Sequence, residues 1–138
     1  MREILFRGKR TDNGEWVEGY YYKAKYCRTD DELCDYITVP HPKEYNEPSS
    51  HYIVDLDTVG QYTGLKDKNG TKIFEGDIVK RFWFGKMCVY QIDYDNGLAS
   101  FIGRAGMKFT TFDYDSEEFE VIGNIYDNPE LLGGNANA

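Results

Sequence analysis

Alanine is scarce in this chain, at five of 138 residues, and the strong helix formers do not cluster, which argues against a helical bundle. Histidine occurs twice and no serine sits in a Gly-x-Ser-x-Gly elbow, so a nucleophile triad has poor material. The three cysteines, Cys27, Cys34 and Cys88, are too few and odd in number for a secreted disulfide framework, and are read as reduced thiols. No stretch approaches the roughly 20 apolar residues of a membrane span. The N-terminal MREILFRGKR is charged every few residues and lacks the apolar core of a signal peptide. The expected location is therefore the cytoplasm. An excess of positive charge is also missing: 16 Lys and Arg against 24 Asp and Glu give a net charge of -8. That field repels phosphate and disfavours non-specific binding to nucleic acid or an anionic membrane.

What is present is aromatic. Tyr and Phe number 12 and 8, aromatics make up 16% and hydrophobic residues 41%. This load is too high for a disordered chain and favours strands over helices. A chain of this length buries about two-thirds of its unfolded surface without a metal or disulfide staple.

The punctuation is that of hairpins. Asn13-Gly14, Asn69-Gly70 and Asn96-Gly97 each stand between apolar runs, where a tight turn needs positive φ. Strands are expected at Ile4–Phe6, Trp16–Tyr22, Tyr52–Val54, Ile73–Phe74, Ile78–Phe84, Met87–Tyr94, Leu98–Ile102, Phe109–Phe112 and Phe119–Tyr126. Between Ile73-Phe74 and Ile78, the turn Glu75-Gly76-Asp77 is expected to be closed by the Asp77 side chain. The apolar members of the alternating runs give a predicted core of Ile4, Phe6, Trp16, Val54, Leu65, Ile73, Ile78, Val89, Ile92, Phe101, Phe119, Val121 and Ile125.

Residues 27–51 read differently, as an irregular excursion with at most a short strand at Tyr36–Val39. Thr29 and Glu32 have capping-box spacing, which suggests a helical turn at Asp31–Cys34. Asn128–Leu132 suits a last helical turn, and the closing Gly-Gly-Asn-Ala-Asn-Ala is expected to fray. The resulting fold class is mostly β and hairpin-rich: an N-terminal β extension over 1–65, a small SH3-like barrel-type sheet over 66–132, and a disordered tail at 133–138.

No constellation points to a metal, cofactor or reaction. Cys27, Cys34, His41 and His51 are separated by six, six and nine residues, which matches no compact zinc knuckle. Asp113, Asp115, Glu117, Glu118 and Glu120 start like a calcium loop but lack its glycine and closing glutamate, so a solvated acidic face is the better reading. Gly60 and Gly64 lack the Lys-Ser/Thr ending of a phosphate loop. No metal, cofactor or catalytic residue is expected.

Three segments carry a resemblance: FRGKRTDNGEWVEGY at 6–20, DTVGQYTGLKDKNGTKIFEGDIV at 57–79 and FEVIGNIYDNPELL at 119–132. Together they resemble the YopX family of phage and prophage proteins. The resemblance implies a phage origin, a bacterial host cytoplasm and a mostly-β fold, and it brings no active-site residues.

Charge is uneven along the chain. Residues 1–30 hold seven basic and five acidic positions, whereas 113–130 hold seven acidic positions and no basic one. The functional expectation is a binding protein rather than an enzyme: an accessory factor acting by protein–protein contact and self-association. Its candidate contacts are the basic Arg7, Lys9 and Arg10, the aromatic Tyr20, Tyr21 and Tyr22, and the acidic Asp113, Asp115, Glu117 and Glu118. Two alternatives stay open. One is a small nucleic-acid-binding barrel using the N-terminal bases with Lys80, Arg81 and the tyrosines. The other is an acidic DNA mimic that occupies a host DNA-binding protein.

Overall fold

The computed structural model describes residues 3–25, 33–39, 50–111 and 116–136. It is mostly β. The strands are β1 Phe6–Lys9, β2 Trp16–Lys25, β3 Leu33–Val39, β4 Ser50–Ile53, β5 Gly60–Lys66 and β6 Lys72–Phe74, then β7 Asp77–Trp83, β8 Lys86–Asp95, β9 Ser100–Ala105, β10 Lys108–Thr110 and β11 Glu120–Asn124. Single 3-10 turns stand at Leu56–Thr58 and Ser116–Glu118, and one helix, α1, at Glu130–Ala136. The strands make two antiparallel sheets, ordered β4-β3-β2-β1-β5-β6 and β10-β9-β8-β7-β11. The chain divides into two compact units, 1–61 and 62–138, with the break inside β5.

In the first unit, Asn13-Gly14 turns β1 into β2 as expected. Gly14 takes φ +73° and the Asn13 side chain accepts the Glu15 N–H at 2.9 Å. Gly19 lies so close to β3 that an added Cβ would overlap the Thr38 carbonyl oxygen, which fixes a glycine there. β3 is longer than the strand expected at Tyr36–Val39. It starts at Leu33 and pairs with β2 from Lys25↔Leu33 to Tyr20↔Thr38, so Cys34 is in a strand and not in a helical turn. Cross-strand pairing overrides the local helical signal here. Thr29, Glu32, Cys27 and His41 lie outside the described residues. Ile37 and Val54 form the buried centre of this unit. The 3-10 turn adds Thr58, whose Oγ1 accepts the Lys9 N–H at 2.9 Å and donates to the Asp55 carbonyl at 2.6 Å.

In the second unit, two buried carboxylates organise the turns. Asp67 Oδ1 accepts the N–H groups of Asn69 and Thr71, and Oδ2 accepts that of Val121, all at 2.9 Å. Asp77 Oδ2 accepts the Phe74 N–H at 2.7 Å, closing the Glu75-Gly76 turn as its position suggested. Gly76 takes φ +92°, with the Tyr126 ring 3.1 Å from where a Cβ would stand. The core is Ile73, Val79, Tyr90, Ile92 and Phe119, with Leu65, Phe101 and Val121 packed against it.

Four expectations are corrected. The second sheet is open, not a closed barrel, because its terminal strands β10 and β11 do not pair with each other. At the third Asn-Gly, the positive φ falls on Ala99 (+51°) and not on Gly97. The Asp95 carboxylate accepts the Leu98 N–H at 2.9 Å, and the loop spans residues 96–99 between Asp95 and Ser100. A loop of four residues is usually built around a type I turn, which needs no left-handed residue at its second position. The final helix runs on to Ala136 through both glycines, past the turn expected at 128–132. It starts at Pro129-Glu130, where proline and an acidic first turn favour initiation, and it lies against β8 and β9. Ile4 is 54% exposed, not core.

The predicted core missed Ile37, Tyr62, Phe74, Val79, Tyr90 and Ile102, all buried. Ile78 and Val79 are adjacent and both fully buried, so β7 is covered on both faces and alternation along it carries no information. Ile78→Ala is expected to lower the unfolding free energy by about 2–4 kcal/mol, and Ile4→Ala by under about 0.5 kcal/mol. Urea denaturation of the two variants checks both.

Candidate interaction surface

The second sheet ends in two neighbouring hairpin turns at the same end, since β7 and β9 run toward it and β8 and β10 run away. The β7–β8 turn is Phe84-Gly85, closed by Trp83↔Lys86. Both turn residues have positive φ, +47° and +77°, as a two-residue primed turn demands. Phenylalanine is a poor choice for that position, where Asn or Gly would be unstrained. Phe84 is also 89% exposed, so burial does not repay the strain. The β9–β10 turn is Gly106-Met107, and Met107 is fully exposed.

Around the two tips stand Phe82, Trp83, Met87 and Phe109, each between 44% and 65% exposed. Phe82 and Met87 are directly opposed across β7 and β8, and the Trp83 ring meets Phe84 edge-on at 4.8 Å. Taking about 200 Å² for each fully exposed side chain, the six present roughly 800 Å² of apolar surface. The largest apolar patch on a typical monomer is about 300–600 Å².

Arg81 anchors this end. Its side chain is 5% exposed, with the guanidinium 4.4 Å from the Trp83 ring centre and 4.6 Å from that of Phe119. It also donates to Thr110 Oγ1 at 3.4 Å and lies 3.9 Å from Glu118 Oε2.

The residues singled out from sequence are placed as follows. Arg7 and Lys9 share a face of β1, and both lay their cations over Trp16, at 4.8 and 5.6 Å. Arg10 stacks on Tyr52 at 4.3 Å and grips Asp12 through two bonds of 2.9 and 2.6 Å. Their hydrogen bonds raise the Arg10 pKa and lower that of Asp12. Tyr20 is exposed; Tyr22 stacks on Tyr36 at 5.1 Å with its hydroxyl 3.0 Å from His51 Nδ1. Tyr21 points to the other face and donates to Asp35 at 2.6 Å. The tyrosine run is thus split between two faces. Glu117 and Glu118 are exposed on the 3-10 turn, while Asp113 and Asp115 lie outside the described residues. The residues of the distal end were not singled out. The signal was the unbroken Phe82-Trp83-Phe84, which no one-sided strand needs, inside a segment, 78–92, that holds no Asp or Glu.

Among the described residues, no group of His, Cys, Asp and Glu is arranged to hold a metal, and no helix is long and apolar enough to cross a membrane. Cys34 and Cys88 are free thiols.

The pattern of two open antiparallel sheets has a counterpart among known proteins. The family model for YopX protein matches residues 5–133, nearly the whole chain, and the protein belongs to the YopX family. It is similar to the crystal structure of protein EF1440 from Enterococcus faecalis, with a TM-score of 0.53 and 28% identity, over 96% of this chain and 99% of that one. No curated protein matches.

Hydrogen bonding to Asp35, then burial, pushes the Tyr21 phenol up to about 12. The folded state holds this proton more tightly than the unfolded chain, whose tyrosines titrate near 10. The stability from this bond is therefore complete below about pH 10 and is lost as pH rises from there to about 12. Ultraviolet titration of the native protein should show one late-ionising tyrosine, which Tyr21→Phe removes.

Proposed function

We propose that this YopX-family protein acts by binding another protein, as an accessory factor of a phage or prophage in the host cytoplasm, and that it is not an enzyme. The distal end of the second sheet is the contact surface. The observation that carries this is Phe84, a bulky apolar residue held in a left-handed turn and left in solvent. A strained residue that the fold does not need is kept for what it touches. Trp, Phe and Met at the centre of the patch are the residue types enriched at protein interfaces, and exposed methionines adapt to a partner's shape.

Self-association is a second reading, favoured by the open sheets. β4 and β10 stand at sheet ends, and such edges template further strand pairing unless they are covered.

Phe84→Asn separates binding from folding. It should raise the unfolding free energy by about 0.5–1 kcal/mol, because turn strain is relieved and little packing is lost. In host cells, tagged wild-type protein should retain a partner that Phe84→Asn loses. Equal retention by the more stable variant counts against the reading. Light scattering at micromolar concentration, in low and high salt, tests self-association; a monomer mass in both rejects it.

A further inference from the structure

We infer that the partner surface docked by the distal end is acidic: apolar at its centre and rimmed with carboxylates that meet Lys86 and Lys108. This rests on the reading of that end as a protein-binding surface. On a chain of net charge -8, residues 78–92 and 96–111 contain no Asp or Glu but five bases, Lys80, Arg81, Lys86, Arg104 and Lys108.

Three of the five are engaged within the sheet. Lys80 lies 3.4 Å from Glu120, and Arg81 is buried against Trp83, Phe119 and Glu118. Arg104 bonds Asp93 at 2.9 Å and Asp95 at 2.8 Å. The Leu98 N–H and Arg104 together hold the Asp95 carboxyl below the usual carboxylate range. Lys86 and Lys108 are the remaining two, and among the described residues neither makes an ion pair. Each stands beside an apolar turn tip, Lys86 after Phe84-Gly85 and Lys108 after Met107.

The size and charge of the surface select among occupants. About 800 Å² is what one partner contributes to a standard protein interface. Two lysines suit two rim carboxylates, but they neutralise only about two phosphates, too few for firm binding to a nucleic acid polyanion. On an anionic bilayer they would supply only about 1 kcal/mol each, against the repulsion of the whole chain. A second copy docked by the same patch would bring four lysines together with no carboxylate on either patch, and like charges at an interface are costly. An acidic protein surface satisfies all three constraints.

The test is fluorescence anisotropy at low salt with four labelled probes. These are an amphipathic peptide of leucine and glutamate, its counterpart with lysine for glutamate, oligo-thymidine, and phosphatidylglycerol vesicles. The wild-type chain should bind the glutamate peptide about tenfold tighter than the lysine peptide, the scale of two exposed charge pairs. Lys86→Glu with Lys108→Glu should invert that order, and Phe84→Asn should weaken both peptides. Equal or tighter binding of the lysine peptide overturns the acidic preference while leaving protein binding at this end intact. Tighter binding of oligo-thymidine or vesicles than of the glutamate peptide overturns it in favour of those ligands. If neither peptide binds and Phe84→Asn keeps its cellular partner, the inference and the reading beneath it fail together.

Discussion

The distal end depends on how one cation is buried. Removing a guanidinium from water costs several kcal/mol unless charges, hydrogen bonds and ring faces replace the lost hydration. Arg81 finds all three: Glu118, Thr110, and the rings of Trp83 and Phe119. Phe119 is 1% exposed and belongs to the core cluster, whereas Trp83 closes the distal turn. The guanidinium therefore joins the core to the base of the hairpin. It sets the direction of Trp83 and, through the ring contact, that of Phe84.

A hairpin tip fixed in this way loses little freedom on binding. Ordering a rotamer-rich side chain at an interface costs about 0.5–1.5 kcal/mol, and a contact surface built on paired strands has met part of that cost beforehand. The two buried carboxylates work toward the same end from the opposite side of the chain reversals. Asp67 ties the β5–β6 turn to Val121 of β11, and Asp77 closes the turn that launches β7. Strain at Phe84 is tolerated because the strands on either side of it are held in register from Ile78↔Gln91 to Trp83↔Lys86.

Much of this was legible in the sequence, and the failures have physical causes. Asn13-Gly14 and Asn69-Gly70 announced their turns because positive φ has few residue solutions. The role of Asp77 followed from its place after a glycine in a tight reversal. β3 was under-read because its stability lies in pairing with β2, which no local pattern encodes. The open sheet was read as a barrel because turn spacing reports hairpins and not whether the last strand meets the first. The distal surface was missed for a different reason. Alternation treats Phe82, Trp83 and Phe84 as core candidates, and only the register shows that they lie at a tip beyond the packed layers. Among the basic residues, sequence reading drew attention to Arg7, Lys9 and Arg10, whose charges stack on Trp16 and Tyr52. Lys86 and Lys108, isolated along the chain, gave no cluster to notice.

The central claim is that the distal end is covered when the protein is at work. Methionine oxidation reads this directly, because a thioether reacts with peroxide according to its exposure. Met107 and Met87 should oxidise quickly in the purified chain and several-fold more slowly in cells that make the protein, with Phe84→Asn restoring the fast rate in cells. Equal oxidation of Met107 in the purified chain and in those cells, once peroxide exposure is matched, would contradict the account.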